Sequence, residues 1–215
     1  MAGCSQGRQS PLTEQERSAI ASELLARLEQ DQYYRAFDYS TAADTTRRRM
    51  MREVTSVDSA NLAYIRQLVD SIGWPGGDRF GADAAHAAFM LVQHADRDPD
   101  FQARMLPQLT AAVERGEASP IDLAYLVDRV RVKQGRPQVY GTQYDVAKDA
   151  AGNVTAGPDG KLRYLIPVVV KPDELDARRA AAGLKPWSEY EREMAQLHGR
   201  APVPTPRPDT LGGPG

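Results

Sequence analysis

The 215-residue chain has a single cysteine, Cys4. That excludes an internal disulfide and a cysteine-based zinc site. No apolar run approaches the ~20 residues that cross a bilayer as a helix. There is no surplus of charge either: 27 Lys and Arg stand against 29 Asp and Glu, a net of −2. The positive footprint of a nucleic-acid binder is therefore missing, as is that of a polybasic membrane contact. The one basic run, Arg47-Arg48-Arg49, lies between Asp44 and Glu53 and reads as a solvated helix face. No serine sits in a nucleophile elbow, and neither a glycine-rich phosphate loop nor a dinucleotide fingerprint occurs.

Hydrophobic residues make up 41% of the chain, enough for a core. Length and pattern suggest one domain over residues 12–197, between a disordered segment at 1–11 and a disordered Pro/Gly-rich tail at 198–215. Met1-Ala2-Gly3-Cys4-Ser5 resembles the end of a bacterial lipoprotein signal without its charged and apolar regions. If such a signal lies upstream, a lipid on Cys4 tethers the chain to the cell envelope, in the periplasm. If none does, Cys4 is a free thiol and the protein is cytoplasmic.

The middle of the chain reads as helices. Thr13-Glu14-Gln15-Glu16 is a capping box, and Ile20, Leu24, Leu25 and Leu28 follow it as a stripe. A second helical region spans about 45–72, with a possible new cap at Asp58 or Ser59. Gly73-Trp74-Pro75-Gly76-Gly77 must break it. A third helix runs from about 81 to 95. Asp98-Pro99 and Ser119-Pro120 each place a cap before a proline, opening a fourth and a fifth helix, and Gly135 stops the fifth. Segments 138–146 and 162–170 are β-branched and aromatic, and are read as strands. Pro167 puts the second at an edge or at its end. Pro172-Asp173 and Pro186-Trp187 open two more helices. The expectation is a mainly α, α+β fold: six to seven helices with a small antiparallel hairpin or meander.

Candidate chemistry gathers in two stretches. Asp128 follows Ile121, Ala124 and Tyr125 on one face of an apolar helix, so its carboxylate needs a partner. Arg129 points about 100° away from it, so an arginine or histidine from elsewhere is an equal candidate. Gln138, Tyr140, Thr142 and Gln143 follow closely, with amides and hydroxyls that suit a small polar ligand. The other stretch is Gln93-His94-Ala95-Asp96, at the end of an alanine-rich helix. Ala87, Met90 and Leu91 share the face of His94, and Asp96 could orient its ring or cap the next helix. His86, His94, Asp96 and Asp128 match no metal-binding spacing, so neither a metal nor a cofactor is implied.

These residues carry a resemblance. Gly73-Trp74-Pro75, Gln93-His94-Ala95-Asp96, Leu126-Val127-Asp128-Arg129-Val130, Gln138–Gln143, Asp176-Ala177-Arg178-Arg179 and Gly183-Leu184 together resemble a bacterial family known as domain of unknown function 6624. The likeness covers about residues 55–190. It implies that these positions belong to the domain's pattern and brings no reaction, cofactor or partner.

Three functions remain open. One is a polar pocket in which Gln93, Asp96, Arg129, Gln138, Tyr140, Thr142 and Gln143 bind a small polar ligand. Another is a metal-independent hydrolase or lyase with His94 as acid/base and Asp128 as its orienter. The third is an interaction or structural module whose polar groups only lock the sheet onto the helices.

Overall fold

The computed structural model describes residues 11–37, 43–149, 151, 154–155, 163–197 and 203. Among them are eight helices and one two-stranded antiparallel sheet, the mainly α architecture expected from the sequence. The chain divides into two compact units: Met1–Ala95 with Glu114–Ala118, and Asp96–Val113 with Ser119–Gly215. Cys4 and nearly all of the expected tail lie outside the described residues.

The first unit is helical. Helix α1, Glu14–Arg35, starts on the capping box: the Glu16 amide donates to Thr13 Oγ1 at 3.3 Å, and the Thr13 amide to Glu16 Oε2 at 2.8 Å. Two orphan donors of the first turn are thereby satisfied. Helix α2, Asp44–Ile72, is continuous and takes no new cap at Asp58 or Ser59. Asp58 bonds Arg35 instead, and the Ser59 hydroxyl donates to the Thr55 carbonyl one turn back. Gly73 then ends α2 at φ +73°, a conformation that costs glycine little. A helical turn absent from the sequence reading follows, α3 (Gly77–Phe80), whose first amide donates to the Glu117 carbonyl at 2.7 Å. Helix α4, Ala82–Gln93, buries four alanines and Phe89, and α1, α2 and α3 all pack on it. The small alanine side chains let neighbouring backbones come close.

The second unit is mixed. Helices α5 (Pro99–Glu114) and α6 (Pro120–Lys133) open as read: Asp98 Oδ1 accepts from the Phe101 amide at 2.9 Å, and Ser119 Oγ from the Ile121 amide at 3.2 Å. The strands are much shorter than expected. Asp145–Val146 (β1) and Tyr164–Leu165 (β2) pair antiparallel, Asp145 opposite Leu165. Residues 139–142 form no strand because three of their four amides donate to a side chain, that of Asp128. β2 stops before Pro167, which has no amide to give. Gln138 pairs singly with Val169 and Val203 with Leu165, both parallel. A 3-10 turn at Pro172–Glu174 leads into α7 (Leu175–Ala181), and α8 (Trp187–Leu197) closes the helical set.

Candidate functional site

In the second unit, Asp128 occupies the apolar face of α6 and is wholly buried. Its partners are neither arginine nor histidine. They are the amides of Val139 (2.6 Å), Tyr140 (3.1 Å) and Thr142 (2.9 Å), with the Thr142 hydroxyl at 3.0 Å. The loop wraps its N–H groups around the carboxylate, which is how backbone donors stabilise a buried anion. Gly141, at φ +70°, makes the bend; a Cβ there would meet Trp187 Cζ3 at 2.9 Å.

The carbonyls of the same loop face cations. Arg178 Nε donates to the Val139 carbonyl at 3.0 Å, Arg179 Nη1 to the Tyr140 carbonyl at 2.6 Å, and Tyr190 Oη to the Thr142 carbonyl at 2.9 Å. The peptide between Val139 and Tyr140 thus runs from the Asp128 carboxylate to the Arg178 guanidinium. Arg178 and Arg179 are structural partners here. Arg179 is 1% exposed, also donates to the Lys185 carbonyl, and stacks its guanidinium over Tyr190 at 4.8 Å. Its burial lowers its pKa, an effect the neighbouring tyrosines partly offset. Neither Tyr190 nor Trp187 stood out as a partner in the sequence, because no local spacing links α8 to residues 138–143.

Gln138 closes the loop from the other end. Its side-chain amide donates to the Gln143 carbonyl at 2.7 Å and accepts from the Gln143 amide at 3.0 Å. The Gln143 side chain reaches Thr142 Oγ1 at 3.0 Å. Arg129 turns away from Asp128, as its position on the helix requires, and bonds Asp96 at 3.0 Å; Lys133 joins the same carboxylate at 3.4 Å.

Three of the expected ligand-binding residues, Arg129, Gln138 and Gln143, line one cavity of about 520 Å³ in this unit. Lys133, Tyr144 and Lys148 line it too, over apolar surface from Val132 and residues 165–168. The Tyr144 hydroxyl is buried without a hydrogen-bond partner among the described residues, and burial pushes its pKa up to about 12. Asp128, Tyr140 and Thr142 are not among the lining residues.

In the first unit, His94 ends α4 and its Nδ1–H donates to Asp31 at 2.9 Å. The carboxylate that orients this ring therefore belongs to Asp31 of α1, where Asp128 or Asp96 was considered. Gln32 Nε2 (2.8 Å) and Arg35 Nε (3.1 Å) also bond Asp31, and Arg35 continues to Asp58. Burial alone would push the Asp31 carboxyl up, but the bond and charge of His94, with Arg35 and Gln32, outweigh it and hold it below the usual range. At Asp58 burial prevails over Arg35 and the carboxyl rises. The signal for Asp31 was present: Ile20, Leu24, Leu28 and Asp31 follow a helical stripe, the same argument that singled out Asp128. Gln93 is buried in this unit, and His86 is exposed beside Phe89. Among the described residues, no three His, Cys, Asp or Glu side chains gather as a metal would require.

A family described only as a family of unknown function, DUF6624, matches residues 18–201. Neither a curated protein nor a solved structure matches the chain.

Proposed function

The chain belongs to that family, DUF6624, whose description assigns no reaction, and from the geometry we propose a small-molecule binding domain whose site is the cavity of the second unit. The observation that carries this is the convergence of Arg129, Gln138 and Gln143 on one cavity of about 520 Å³, within the size range of ligand pockets. In this reading Asp128, Tyr140 and Thr142 touch no ligand. They fix the loop that presents Gln138 and Gln143, so that the site is organised before anything binds.

A fragment set screened by amide chemical-shift changes on the full chain tests this. Shifts should cluster on Gln138, Gln143, Tyr144 and Val168, and Val168→Trp, which fills the cavity, should abolish them. Shifts scattered over both units, or binding unaffected by Val168→Trp, would refute the site.

A second reading, acid/base catalysis by His94, has one observation in its favour. Asp31 bonds the ring at Nδ1, which orients the imidazole and leaves Nε2 as the atom that would exchange a proton with a substrate. The check is a panel of ester and amide substrates. Turnover that His94→Gln leaves unchanged would remove this reading.

A further inference from the structure

We propose that the ligand of this cavity is a small organic anion with a short aliphatic body. The proposal rests on the reading of the cavity as the binding site and adds the chemical class.

Among the described residues, three cations line the cavity, Arg129, Lys133 and Lys148, against one carboxylate, Asp145. Asp96 lies on Arg129 and Lys133 at 3.0 and 3.4 Å, and Asp145 on Lys148 at 3.1 Å. Among these described side chains, three cations stand against two carboxylates. The two carboxylates are also the more solvated partners. The Asp96 side chain is 46% exposed, against 22% for Arg129 and 38% for Lys133, and Asp145 is 57% exposed, against 45% for Lys148. Water and salt screen the more exposed anions more than Arg129 and Lys133, which favours a positive potential at this part of the lining.

The floor has a different character. Val132 and Val168 are among the large apolar side chains that the chain leaves exposed, and both line this cavity. Leu165 and Pro167 extend the apolar surface. A ligand that spans both regions needs a carboxylate for the cations and a few methylenes for the floor. A bare inorganic anion would leave the floor wet, and an ammonium would meet the cations.

Hexanoate, hexanol and hexylammonium are matched probes, followed by amide chemical shifts on the full chain. Hexanoate should bind saturably at Gln143, Asp145 and Val168, about tenfold more tightly than hexanol, a difference of about 1.4 kcal/mol. Lys133→Gln combined with Lys148→Gln should remove that advantage and leave hexanol binding as it was. Asp96→Asn, which takes a competing carboxylate off Arg129 and Lys133, should tighten hexanoate several-fold. If hexanol or hexylammonium binds the cavity as well as hexanoate does, the anion class is wrong and the cavity reading survives. If none of the three shifts the cavity resonances, both fall.

Discussion

Asp31 in α1 and Asp128 in α6 both lie on apolar helix stripes, almost or wholly out of solvent. Each carboxylate is met by several donors, but the donors differ in kind. Asp31 takes an imidazole, a guanidinium and a side-chain amide, all on rotatable side chains, and two of them carry or can gain charge. Asp128 takes three backbone amides and one hydroxyl from a single loop, while Arg178 and Arg179 bond carbonyls of that loop and not the carboxylate. The first arrangement can respond to protons and to a neighbouring group. The second has no titratable donor and fixes the course of the backbone. A buried aspartate is thus no sign of chemistry by itself; the identity of its donors decides what it can do.

The largest effect that separates the two is expected from Asp128→Ala. Removing the acceptor leaves three loop amides, that of Thr142 buried, without their partner, and a cost of about 3–5 kcal/mol is expected by chemical denaturation. Asp31→Ala should cost less, because Arg35 and His94 can turn toward solvent or toward Asp58. An equal loss at both positions would break the comparison. Next, Arg179→Met should cost about 2–3 kcal/mol through the bonds to the Tyr140 and Lys185 carbonyls, with the Gly141 amide resonance shifting as the loop relaxes.

A pH series sharpens the contrast. Asp31 is held below its usual value in the folded chain, so the unfolded chain binds that proton more readily. Its contribution is complete above the ordinary aspartate range, about pH 4, and is lost as pH falls through the folded value. Asp58, which is raised, contributes in the opposite sense, so the series is best run in an Asp58→Asn background. There Asp31→Asn should flatten the loss of stability on acidification, as measured by urea midpoints from neutral pH downward. The smallest effect is expected from Gln143→Ala, within about 0.5 kcal/mol on thermal melting, because the bonds from its backbone to Gln138 remain.

The helices were legible because their signals are local. The Thr13–Glu16 box, Asp98-Pro99 and Ser119-Pro120 lie within a few residues of the turns they start, and each caps as read. Asp128 was legible as buried for the same reason. Its partners were not, because backbone amides leave no trace in a sequence and residues 139–142 have the composition of a strand. Asp31 and His94 lie 63 positions apart, and no spacing rule spans that distance. The roles of the α7 arginines left no local signal, because their partners are carbonyls of a loop 39 positions away.

The single pairing of Val203 carries a consequence for the edge of the small sheet. Its amide donates to the Tyr164 carbonyl and its carbonyl accepts from the Ile166 amide, both at 2.8 Å. A chain shortened before this residue would leave the Tyr164 carbonyl and the Ile166 amide as a bare template for strand addition by another molecule. The Pro/Gly-rich end, through one valine, therefore bears on solubility and self-association.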